Sequence, residues 1–150
     1  MPCISGSYNP NVGPLIQVAV FPTSKELLSG KIPETLEIRT YNALIDTGAT
    51  NTCLSNKVIK DINLQPRGKI EMSGATGTKP VDQFSVFIGF LLSRQQDPTG
   101  KATFDIPALQ AVQACEFSNS GFTFDLLLGR DIICKGSFSL SFDGHFILSF

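Results

Sequence analysis

Short apolar runs recur along this chain, separated by glycine, proline and small polar residues, and they are rich in Val, Ile and Phe. That pattern predicts strands over about 14–21, 36–45, 68–73, 81–90, 102–114 and 122–128, with two more at the C-terminus, in an all-β domain with little helix. Short helices are expected at 56–62, where Ser55 offers an N-cap, and at 130–134 after Gly129. The stretch 93–100, SRQQDPTG, reads as a polar surface loop, and 23–34 as a connection or insertion.

The C-terminal stretch FSLSFDGHFILSF places Asp143-Gly144 between two alternating apolar runs, a strong hairpin signal. A two-residue turn sets Phe142 opposite His145. Phe138, Leu140, Phe142 and Ile147 then share one face, with Phe146, Leu148 and Phe150 on the other. A terminal hairpin apolar on both faces calls for cover on both, and a second subunit is a natural source of it.

A length of 150 residues suits one domain, here taken as 1–150 with a hairpin extension at about 137–150. The net charge is −1 and basic residues are scattered, so the sequence offers no footprint for nucleic acid or an anionic membrane. There is no apolar run of membrane-spanning length and no signal-peptide pattern at the start, so a cytoplasmic protein is expected. Cys3, Cys53, Cys115 and Cys134 lie far apart and His145 is the only histidine, which argues against a metal site. The thiols read as reduced and mostly packed, and no cofactor is implied.

One segment breaks the pattern of ordinary strands. ALIDTGATN, Ala43 to Asn51, runs three apolar residues into a carboxylate, a hydroxyl and a glycine. Burying an unpaired carboxylate is costly enough to shift its pKa, so an acid placed there is a candidate for chemistry. A second segment, LLLGRDII, Leu126 to Ile133, has a similar form: an apolar strand entering a glycine turn. Between them lies MSGATG, Met72 to Gly77. Asp-Thr-Gly alone arises by chance in a few per cent of chains this long, on the order of average composition; all three segments in this order are far more specific.

These motifs resemble those of the retropepsin-like aspartic proteases, and together they frame roughly 15–142. The resemblance implies a closed acid-protease barrel with one or two short helices that works as a homodimer on peptide or protein substrates. It makes Asp46, Thr47 and Gly48 the catalytic triplet, Gly74, Ala75, Thr76 and Gly77 the tip of a substrate-covering flap, and Gly129, Arg130 and Asp131 a structural motif. Ala49, Thr50 and Asn51, which follow the triplet, are expected to line the substrate site. No second Asp-Thr-Gly or Asp-Ser-Gly exists in the chain. Two carboxylates that share a proton must therefore come from two copies of Asp46.

The chain also departs from the family pattern. Retroviral members usually carry an acid two positions after the catalytic glycine, paired with the arginine of the Gly-Arg motif, and here that position is Thr50. Arg130 must find Asp131, another acid or a neighbouring chain instead. Ala49 stands where pepsin-like relatives usually have Ser or Thr and offers no side-chain donor, so activity is expected to peak at mildly acidic to near-neutral pH. The insertion around 93–101 and the tail DGHFILSF resemble cellular rather than viral members. The alternative to an endopeptidase is a catalytically silent dimerisation or peptide-binding module of the same fold.

Overall fold

The computed structural model describes every residue except 1, 32, 34, 92–94, 97–101, 104–108 and 119–120. The chain opens with β1, Cys3–Ser7, and β2, Leu15–Pro22. Along β2 the apolar residues first alternate and then run on: Ile16, Val18 and Val20 enter the main core, while Ala19 and Phe21 join a second cluster with Leu27 and Phe87. A strand covered on both faces requires such a continuous run. The segment expected as a plain connection contains a helix, α1, Lys25–Leu28. Ser24 caps it by accepting the Leu27 amide at 3.2 Å, and the turn delivers Leu27 to the second cluster.

The next strands are β3, Thr40–Ile45, and β4, Cys53–Ser55, followed by α2, Asn56–Asp61. Ser55 accepts the Val58 amide at 3.5 Å, as its position before the helix suggested. Then come β5, Gly68–Gly74, and the long β6, Gly77–Phe90. A two-stranded ribbon follows, β7, Gln95–Gln96, with β8, Ala102–Thr103, so part of the expected loop is strand and the rest of it lies outside the described residues. The chain continues through β9, Leu109–Phe117, β10, Leu126–Leu128, α3, Arg130–Ile133, β11, Ser137–Leu140, and β12, His145–Ser149. Two expected strands are shorter than the pattern suggested: 36–45 narrows to β3 and 122–128 to β10.

Seven strands pair in the order β2-β3-β10-β4-β9-β6-β5, and β2 pairs with β6 as well, so the hydrogen-bonded order returns on itself. Within it β10 runs parallel to β3, with Leu126 beside Ala43, and antiparallel to β4. Leu54, Leu126 and Leu128 are fully buried there. The turn that leaves β3 and the turn that leaves β10 therefore emerge side by side.

A second sheet has the order β1-β12-β11. It overturns the expected hairpin register. Leu140 pairs with Phe146 and Phe138 with Leu148, and the loop holds Phe142, Asp143 and Gly144 between Ser141 and His145. Gly144 has φ +83°, the conformation that closes a three-residue hairpin loop with a bulge. That extra loop residue moves Phe146 and Leu148 onto the face of Phe138 and Leu140, turns Ile147 to the serine-rich outer face, and leaves Phe142 fully exposed. The hairpin is thus apolar on one face. Phe146 and Leu148 pack in the main core of their own chain, and the Phe150 ring stacks on Phe90 with centroids 4.4 Å apart.

Candidate active site

Asp46 sits one residue beyond β3, where the parallel neighbour β10 holds it: its amide donates to the Leu128 carbonyl at 3.0 Å. The side chain is half-buried. Its Oδ1 accepts the Gly48 amide at 2.8 Å, which fixes the carboxylate over its own turn. A β-carbon on Gly48 would come within 3.1 Å of that oxygen, so the glycine keeps the carboxylate uncrowded. No cation pairs with Asp46 among the described residues. Thr47 is exposed, and its hydroxyl has no hydrogen-bond partner within the described residues.

The rest of the turn is bound to the segment after β10. The Ala49 amide donates to the Asp46 carbonyl at 3.2 Å, and the Ala49 and Thr50 carbonyls accept the amides of Arg130 and Asp131 at 2.9 and 3.3 Å. Helix α3 begins at Gly129, which supplies no side-chain cap. Its first free amides are therefore satisfied by the carbonyls of the Asp46 turn. Gly129 is required for this contact: a β-carbon there would lie 2.5 Å from the Asn51 carbonyl carbon and 2.9 Å from the Thr52 nitrogen.

The structure also gives the arginine its partners. Arg130 donates through Nη2 to the Thr50 hydroxyl at 3.0 Å and reaches the Thr47 carbonyl at 3.5 Å. Asp131 turns instead to Thr52, accepting its amide at 2.9 Å on Oδ2 and its hydroxyl at 2.8 Å on Oδ1. The Thr52 oxygen accepts the Gly129 amide at 3.2 Å. Thr52 is fully buried and was not among the residues expected from sequence. Its only sequence signal was a lone hydroxyl at the entrance to an apolar strand.

Gly74, Ala75, Thr76 and Gly77 form the tip of the β5–β6 hairpin, with Gly74 opposite Gly77. Gly77 has φ +119°, a conformation that favours glycine, and the Ser73 and Thr78 hydroxyls lie 2.9 Å apart across the strands. Every residue from Ser73 to Pro80 is exposed, so this arm projects from the body. No hydrogen bond among the described residues joins the tip to the Asp46 turn. A cavity of about 250 Å³ between β1 and β2 includes none of these residues in its lining.

A buried thiol borders this arrangement, the Cys53 Sγ lying 3.5 Å from the Asn51 carbonyl oxygen, but it is not set up as a nucleophile. Cys53 and Cys115 are buried and paired in register, whereas Cys3 and Cys134 are exposed, which corrects the expectation of mostly packed thiols. Burial, reinforced by Cys115, pushes the Cys53 thiol up to about 12, and burial raises Cys115 as well. Thiols held protonated are poor nucleophiles. His145 faces Asp143 at 3.2 Å at the hairpin loop rather than a cysteine. Among the described residues no group of His, Cys, Asp and Glu could hold a metal ion, and no helix is long and apolar enough to cross a membrane.

Comparison with known proteins agrees with the motifs. Residues 30–89, which span the Asp46 turn and the β5–β6 arm, match the model of the aspartyl protease family. No curated protein sequence matches the chain. Among solved structures the chain is similar to a retropepsin-like aspartic protease from Rickettsia conorii, with a TM-score of 0.51 over 97% of this chain and 89% of that one. Identity is 12%, so this likeness concerns the fold. The fold is thus that of a retropepsin-like aspartic protease, and the segment that carries the Asp46 turn and the β5–β6 arm is the one similar to aspartyl proteases.

Proposed function

We propose that the protein is an aspartic endopeptidase whose active site is assembled from two copies of the chain. The observation that carries this reading is the state of Asp46: half-buried, unpaired with any cation among the described residues, and held by Gly48 in a turn kept free of a β-carbon. Each chain supplies one such carboxylate. Two of them close together share a proton, because like charges at about 3 Å cannot both ionise. The ionised member takes a proton from water as the water attacks the peptide carbonyl, and the protonated member supplies one toward the departing amine.

In this reading the Thr47 hydroxyls, which have no hydrogen-bond partner among the described residues, meet across the twofold axis and hold the two turns together. Ala49, Thr50 and Asn51 line the substrate site, where backbone groups align an extended peptide. The Gly74–Gly77 tip closes over the bound segment and excludes water. The expected substrate is a peptide or protein in extended conformation.

The experiment is cleavage of an unstructured polypeptide by the wild type and by Asp46→Asn, with the oligomeric state followed by sedimentation. The reading requires turnover that the substitution abolishes while fold and self-association persist. Peptide binding without turnover in both proteins would favour a silent module instead.

A further inference from the structure

We propose that Asp131 is a positioning residue for the Asp46 turn, acting through Thr52; this rests on the proteolytic reading above. Both oxygens of Asp131 are committed to one residue, Oδ2 to the Thr52 amide and Oδ1 to its hydroxyl. Since the hydroxyl hydrogen points at Asp131, the Thr52 oxygen is free to accept, and it takes the Gly129 amide. The proton order is therefore fixed: Gly129 N–H to Thr52 Oγ1, and Thr52 O–H to Asp131. A charged acceptor strengthens such bonds, and Thr52 is fully buried, so water is not at hand to replace either one.

The clasp determines where Asn51 lies. With Thr52 gripped from Asp131, the Asn51 backbone rests against Gly129, close enough to leave no room for a β-carbon. That placement lets the Ala49 and Thr50 carbonyls meet the Arg130 and Asp131 amides, and the Ala49 amide in turn reaches the Asp46 carbonyl. An unbroken series of contacts runs from Asp131 to Asp46. Loosening its far end tilts the carboxylate without touching substrate, and catalysis is sensitive to misplacements of about 1 Å.

The test compares Thr52→Val, Thr52→Ser and Asp131→Asn with wild type, reading peptide cleavage and amide hydrogen exchange. Valine has nearly the shape of threonine and lacks the hydroxyl, so kcat should fall roughly 10- to 100-fold with little change in KM. Amide exchange at Arg130 and Asp131 should speed up in the same variant, and Thr52→Ser should restore both. Asp131→Asn keeps the shape and loses one of the two acceptors, so it should lower kcat severalfold with KM held; it carries the comparison if Thr52→Val does not fold. Unchanged kcat and unchanged exchange in the folded variants would overturn the proposal, as would a rise in KM alone. If the wild type cleaves nothing, the proteolytic reading fails by itself, and the exchange arm still decides the clasp.

Discussion

A β-carbon on Gly129 would stand 2.5 Å from the carbonyl carbon of Asn51, closer than side chains approach backbone. Two backbone segments far apart in the sequence are thus in direct contact at the site, and only glycine permits it. Gly129→Ala should force the Asp46 turn away from α3 and destabilise the protein by about 1–3 kcal/mol. Chemical denaturation of the two proteins measures this. A variant as stable as wild type would mean that the two segments separate at no cost.

The second expectation concerns the arginine. Arg130 is bound by the Thr50 hydroxyl and the Thr47 carbonyl, neither of them charged. Thr50→Asp would set a carboxylate in reach of the guanidinium at an exposed position, where such a pair contributes at most about 1 kcal/mol. A small gain in stability is expected at low salt, shrinking as ionic strength rises. A gain that salt does not alter would indicate another cause.

The terminal sheet yields a third. Strand β12 lies between β1 and β11 and buries Phe146 and Leu148 in the core. A β-carbon on Gly136, at the entry to β11, would approach the Ser149 carbonyl oxygen to 1.8 Å. Gly136→Ala should therefore cost on the order of 1–3 kcal/mol or more, and truncation after Phe142 should unfold the chain rather than only weaken self-association. Circular dichroism with thermal melts of both variants distinguishes the two. A truncated chain with a wild-type melting temperature would contradict the central place of β12.

Much of this architecture was legible in the sequence, and the failures share a cause. The Asp46 turn, the β5–β6 tip, the helix after Gly129 and the Ser55 cap are each specified by residues close together in the chain. The hairpin register was not, because Asp143-Gly144 fits a two-residue turn as well as the bulged loop that Gly144 closes with φ +83°. Strand β1 went unseen because Ile4 is its one large apolar residue, and its pairing partner is β12, at the other end of the chain. The Asp131–Thr52 grip joins residues 79 positions apart, and nothing local to Thr52 marks it.

Thiol reactivity provides a fourth expectation. Cys3 and Cys134 are exposed and should react with a maleimide at pH 8, whereas Cys53 and Cys115 should react only on unfolding. Burial raises the Cys53 thiol from an ordinary value near 9 to about 12, so the unfolded chain loses that proton first as pH climbs. The contribution is fully present below about pH 9 and is lost between pH 9 and 12. Cys53→Ala should flatten this alkaline fall in stability; an equally steep fall in the variant would rule Cys53 out as its source.

The central claim is that one active site draws an Asp46 from each of two chains, and subunit mixing tests it most directly. Wild-type and Asp46→Asn chains are combined at constant total concentration, allowed to exchange, and assayed for cleavage of an unstructured polypeptide. Activity should fall with the square of the wild-type fraction, because a mixed pair has one carboxylate and cannot turn over. A linear fall, with each wild-type chain active whatever its partner, would contradict a shared site.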